Sequence, residues 1–118
     1  MQYLLMIYQA EEIWESKSDD EKSAVLARHR VLNEKLQADG ITFAAEPLQS
    51  TATAVCLRNR NGDMQVSDGP FAETKEQLAG FYLVDVETME DAMAYAAMIP
   101  SVDHGTIEVR AVADHSST

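Results

Sequence analysis

Two runs of the sequence, residues 3–8 (YLLMIY) and 81–86 (FYLVDV), are apolar at nearly every position rather than at every second one. A strand with one wet face alternates apolar and polar side chains, so these runs read as strands with apolar neighbours on both faces. That is a strong constraint, because only two long segments carry the pattern of helices that could supply those neighbours. Residues 18–39 open on Ser18 and Glu21 in the S-x-x-E spacing of a capping box, hold acids in the first turn and stop before Gly40, which is suited to end a helix. Along this helix Val25, His29, Leu32 and Leu36 fall within about 60° of one another, on one stripe. The second helix is expected over residues 88–99. Thr88 and Asp91 are its cap pair, Met89, Ala92, Met93, Ala96 and Ile99 its apolar face, and Pro100 its stop.

The remaining segments read as strands and turns. Residues 41–45 suggest a short strand, and the β-branched stretch 51–58 a better one. Asn61-Gly62 is a type I′ turn signal inside the loop 59–63, so a hairpin returns along residues 64–67. Asp68-Gly69-Pro70 is a turn in which Asp bonds nearby backbone, Gly takes an unusual φ and Pro bars a ladder donor. Residues 106–112 alternate as far as Ala111, with Ile107 and Val109 on one side and Glu108 and Arg110 on the other. The order is β-α-β-hairpin-β-α-β. It predicts an α+β fold: one mostly antiparallel sheet, two helices on one face and an extra hairpin. Two helices cover one face of a sheet. The other face is also apolar and requires a partner, most simply a second copy of the chain.

The chain's 118 residues are enough for a single domain, taken as residues 1–113, followed by a polar tail over 114–118. A folded monomer of this mass exposes roughly 6,400 Å². Twenty acids against nine bases leave a net charge of −11. Such a chain is poorly matched to nucleic acid or to an anionic membrane surface, both of which select clustered Lys and Arg. With one cysteine, Cys56, there is no intrachain disulfide. The opening MQYLLMIYQAEEIW lacks a basic n-region and a small-residue cleavage site, so a cytoplasmic protein is expected.

Residues 68–80, DGPFAETKEQLAG, followed by Phe81-Tyr82-Leu83-Val84-Asp85-Val86, resemble the hallmark of the DGPF family, which belongs to the YCII-related proteins. The resemblance runs nearly end to end, from the strand at residues 3–8 to Ile99-Pro100 and residues 105–110. It implies a ferredoxin-like dimeric α/β barrel, in which two protomers pack their bare sheet faces together. Related YCII proteins carry a histidine in the first helix and an aspartate just before the proline that ends the second, and are proposed to be enzymes on that basis. His29 matches the histidine. The aspartate has no match, since Ile99 precedes Pro100. Members are often encoded beside alternative sigma factors, which implies a regulatory accessory role as readily as an enzymatic one.

His29 has two readings. It is either a core histidine bonded to a carbonyl or a nearby tyrosine, or an acid–base group facing a cleft, since imidazole titrates near neutral pH. Asp68 either closes its turn or orients His29 in place of the missing aspartate, with Gly69 and Pro70 placing it rigidly. Lys75 lies in a solvated Glu-Thr-Lys-Glu run, or anchors an anionic ligand. Arg110 pairs with Glu108 across the strand surface, or clamps an anion. Cys56 reads as a small buried hydrophobe. No H-x-x-x-H or H-E-x-x-H spacing and no glycine-rich phosphate loop occurs, so no metal or cofactor is expected. The expectation is a homodimer binding a small organic ligand, anionic if Lys75 or Arg110 holds it, and performing cofactor-free isomerase- or lyase-like acid–base chemistry with His29 and Asp68. A non-catalytic ligand sensor or regulatory interaction module is the alternative.

Overall fold

The computed structural model describes residues 1–114. Along them run β1 (Gln2–Gln9), α1 (Glu11–Glu15), α2 (Asp19–Ala38), β2 (Phe43–Pro47), β3 (Val55–Arg60), β4 (Asp63–Asp68), β5 (Gln77–Asp85), α3 (Met89–Ala96) and β6 (Thr106–Ala111). Four strands form one sheet in the order β2-β5-β1-β6, every neighbouring pair antiparallel, while β3 and β4 form a separate two-stranded sheet. With that hairpin set aside as an insertion, the order is that of a ferredoxin-like α+β unit. The expected tail lies, from residue 115 onward, outside the described residues.

Register decides which side chains meet the helices. Tyr3 lies opposite Val84, Leu5 opposite Tyr82 and Val109, and Ile7 opposite Gly80 and Ile107. These positions join Leu32 and Leu36 of α2 and Ala92, Ala96 and Ile99 around α3 in one core. Leu32 and Leu36 are fully buried, each contributing about 1.5–3 kcal/mol through the apolar area removed from water. The α2 stripe therefore faces the sheet as its spacing predicts, with Val25 and His29 at its half-buried end. The alternate positions point the other way. Leu4 lies opposite Leu83 and Arg110, and Met6 opposite Phe81 and Glu108. Leu4, Met6, Phe81 and Leu83 stay half-exposed and outside the helix-covered core. The sheet is apolar on both faces and helix-covered on one.

Several local expectations are corrected. Helix α1 is additional to the two expected. Its N-cap, Ala10, offers no side-chain acceptor, and five residues are marginal as an isolated helix. Tertiary contacts hold it: the Glu11 amide donates to Gln77 Oε1 at 2.9 Å, and the Lys22 ammonium sits 5.5 Å above the Trp14 ring. Thr51–Thr53 is a 3-10 turn rather than the start of a strand, because the Ser50 hydroxyl accepts from the Ala52 amide and Glu11 accepts from the Thr51 amide. Toward the turn, the first hairpin strand runs two residues further than expected and the second starts one residue earlier. Asn61 and Gly62 alone make the turn, with φ of 56° and 85°, as a type I′ turn requires. Helix α3 ends at Ala96, and Met93, expected on its buried face, is exposed.

Candidate functional site

A cavity of about 500 Å³, a size typical of small-molecule sites, is lined by residues of α2, the sheet and α1. Its wall is built from α2 through His29 and Asn33, from β5 through Tyr82, from β2 through Ala45, from α1 through Trp14, and from the turn after Pro100 through Ser101. His29 reaches it because Val25, His29 and Asn33 are four residues apart, on successive turns of one helix face. Tyr82 reaches it because strand alternation puts it on the helix-covered side with Val84.

His29 Nδ1 and the Tyr82 hydroxyl are 2.8 Å apart, and the two rings stack with centroids 5.9 Å apart and planes 10° from parallel. Burial, with a smaller contribution from the Arg28 charge, holds the imidazole below its ordinary 6.5, so it stays neutral at neutral pH. Burial pushes the Tyr82 phenol up to about 12, so it keeps its proton. The other imidazole nitrogen, Nε2, has no hydrogen-bond partner among the described residues and is not sealed from solvent. Asn33 Oδ1 is buried against the same cavity without a partner among the described residues. Ser101 is buried, its hydroxyl donating to Gln9 Oε1 at 2.7 Å. Glu11, Glu15 and Glu46 are the charged residues in the lining beside His29, Glu46 being paired with Phe81 so that its side chain lies on the opposite sheet face; no Lys or Arg is among them.

The residues singled out in the sequence fall in three places. His29 lies in the cavity. Asp68, Gly69 and Pro70 lie at the root of the β3–β4 hairpin, where the Gly69 amide donates to Ala54 O at 2.7 Å and Gly69 takes a φ of 89°. Cys56 is half-buried there, its thiol 3.2 Å from Gly69 O. Lys75 is exposed on the loop that follows. Arg110 lies on the uncovered sheet face, its Nε donating to Glu108 at 3.0 Å. Within one chain no hydrogen bond or ion pair among the described residues joins Asp68 to His29, and neither Asp68, Gly69, Pro70, Lys75 nor Arg110 lines the cavity. The described residues contain no cluster of His, Cys, Asp and Glu able to hold a metal ion, and no helix long and apolar enough to cross a membrane.

A sequence model of the YCII-related domain matches residues 1–116. The chain belongs to the YCII-related family. It is also 34% identical over 115 residues to an uncharacterized protein of Rhizobium meliloti (strain 1021), covering 96% of this chain and 93% of that one. In this YCII-related chain the position before Pro100 is filled by Ile99, fully buried in the core, so no carboxylate stands there. In this chain the histidine is paired with a tyrosine. Tyr82 was legible only as half of an alternating strand. Asn33 carried a signal, one turn beyond His29 on the same stripe. Trp14 carried none, since its helix forms through tertiary contacts.

Proposed function

We propose that this chain, of the DGPF branch that its residues 68–80 resemble, is a homodimeric small-molecule-binding protein in which His29 and Tyr82 form a cofactor-free acid–base pair. The observation that carries this reading is a neutral imidazole bonded to a protonated phenol at the wall of a 500 Å³ cavity, with Nε2 left free for a ligand. In the tautomer whose Nδ1–H donates to Tyr82 Oη, Nε2 carries its lone pair into the cavity and can take a proton from an acidic C–H or O–H. The Tyr82 oxygen then holds the ring in place as it becomes imidazolium. This is the orienting role the sequence reading gave to Asp68, which sits at the hairpin root. Isomerisation or elimination fits such a site.

The cavity's charge favours a different ligand from the anion first considered. The Glu11 and Glu15 carboxylates, no cation, the Trp14 ring and an Asn33 Oδ1 without a partner among the described residues suit a neutral or cationic molecule that brings a hydrogen-bond donor and an apolar part. The lack of a carboxylate on His29 favours the second reading, a non-catalytic ligand sensor. Both are tested by thermal-shift screening of small amines, polar neutral compounds and carboxylic acids, followed by incubation of hits in heavy water. Catalysis predicts deuterium incorporation into the ligand by the wild type and its loss in His29→Gln and Tyr82→Phe. Binding without exchange supports the sensor. Carboxylic acids that bind equally well to wild type and His29→Gln would sink the site as described.

A further inference from the structure

The β3–β4 hairpin has a pattern that the His29 site does not explain. Its register puts Leu57 opposite Val66 and Asn59 opposite Met64, so Val55, Leu57, Met64 and Val66 share one face, with Asp68 and Asn59 at its two ends, while Arg58 and Gln65 share the other. The apolar face is bare: Val55 is 53%, Leu57 63%, Met64 60% and Val66 63% exposed. An isolated two-stranded hairpin is at best marginally stable in water, and a hairpin with a mostly apolar, uncovered face is a half-finished sandwich. Its root is pinned. The Leu48 amide donates to Ala79 O at 2.8 Å, the Gly69 amide to Ala54 O, and Glu11 accepts from Thr51. Beyond the root no hydrogen bond among the described residues joins the arm to the rest of the chain, so it projects with its apolar face uncovered.

We propose that this arm packs its apolar face on a second copy of the chain, and that the contact sets one wall of the His29 cavity in each copy. The inference rests on the dimeric reading above and adds to it the surface that makes the contact. Area supports the occupant. The chain exposes 8074 Å², against roughly 6,400 Å² for a folded monomer of its mass. The surplus exceeds the ~800 Å² per partner that a standard stable interface covers. Charge supports it too. Two chains of net −11 repel each other, but residues 55–68 hold two arginines and two aspartates, so the arm is the neutral part that a second copy tolerates best. Two-fold closure lets each copy give an arm and receive one. The link to the cavity is the root: the arm leaves the sheet through Leu48, Gln49 and Ser50, which line the cavity. Docking the arm fixes that wall.

Sedimentation equilibrium across a dilution series tests this, with Trp14 emission read in parallel. Trp14 is the chain's one tryptophan and lies in the cavity. Wild type is expected to be a dimer. The double variant Leu57→Ser/Val66→Ser should dissociate about tenfold or more easily, and Met64→Ser should shift in the same direction. Arg58→Ser, on the polar face, should match wild type, with circular dichroism unchanged in all. Trp14 emission should change over the concentration range in which the dimer dissociates. A wild-type dimer that the double variant leaves intact overturns the arm contact while the dimer itself stands. A wild-type monomer overturns both. Dissociation with constant Trp14 emission overturns the coupling to the cavity.

Discussion

At the residue scale, His29 is a titratable group made neutral by its surroundings. Burial is the larger cause and Arg28 the smaller, and both disfavour the imidazolium. The folded state therefore binds a proton less readily than the unfolded chain, whose histidine titrates near 6.5. The stability His29 contributes is fully present above that pH and is lost as pH falls through the lower folded value. An NMR titration should place His29 below the ordinary histidine range, and melting temperature should decline as pH is lowered from 7 toward 5 more steeply in wild type than in His29→Gln. A titration at or above the ordinary value would mean a carboxylate reaches the ring. The histidine and its helix stripe were legible from spacing. A tyrosine was among the partners its core reading allowed, but which tyrosine was not legible, because Tyr82 arrives from a strand 53 residues away and only the docking of α2 on β5 brings the two together.

At the element scale, the close approach of β2 to β5 controls the rear wall of the site. Gly80 is paired with Pro47, and a Cβ built there would lie 2.9 Å from Glu46 O, a backbone atom that cannot rotate away. Gly80→Ala should therefore separate the two strands locally, at a cost of about 1–3 kcal/mol, measured by urea denaturation. An unchanged midpoint would show that β2, an edge strand, yields freely. Elements with their own local chemistry were readable. The capping box of α2 forms as spaced, with the Glu21 amide donating to Ser18 Oγ at 3.1 Å and the Ser18 amide to Glu21 Oε1 at 3.0 Å. Elements sustained by distant groups were not. Helix α1 depends on Gln77, and the turn at residues 51–53 depends on Glu11.

At the scale of the whole molecule, the sheet's second face is the outstanding feature. Leu4, Met6, Phe81 and Leu83 form its apolar centre, beside the Glu108–Arg110 pair on β6. Leu83 points away from the helix-covered core, so Leu83→Glu should leave the protomer folded while setting a carboxylate in the centre of the proposed interface. Wild type should sediment near twice 13.1 kDa at micromolar concentration and the variant near the single mass. A variant that remains dimeric would move the interface off this face and onto the hairpin arm alone.

The sequence by itself determined what local and periodic signals can carry. Uninterrupted apolar runs required a two-sided sheet, the 3.6-residue stripe put His29 on the inward face of a capped helix, Asn61-Gly62 closed a hairpin, and the Asp68–Gly80 string pointed to the YCII-related family. Tertiary structure alone decided what His29 touches and what it does not. Strand register and the crossing of α2 over β5 put a phenol at Nδ1, while the root of the hairpin took Asp68 elsewhere. The physical reason is that side-chain periodicity states which face a residue lies on, whereas the identity of the group it meets depends on contacts between segments far apart in the chain.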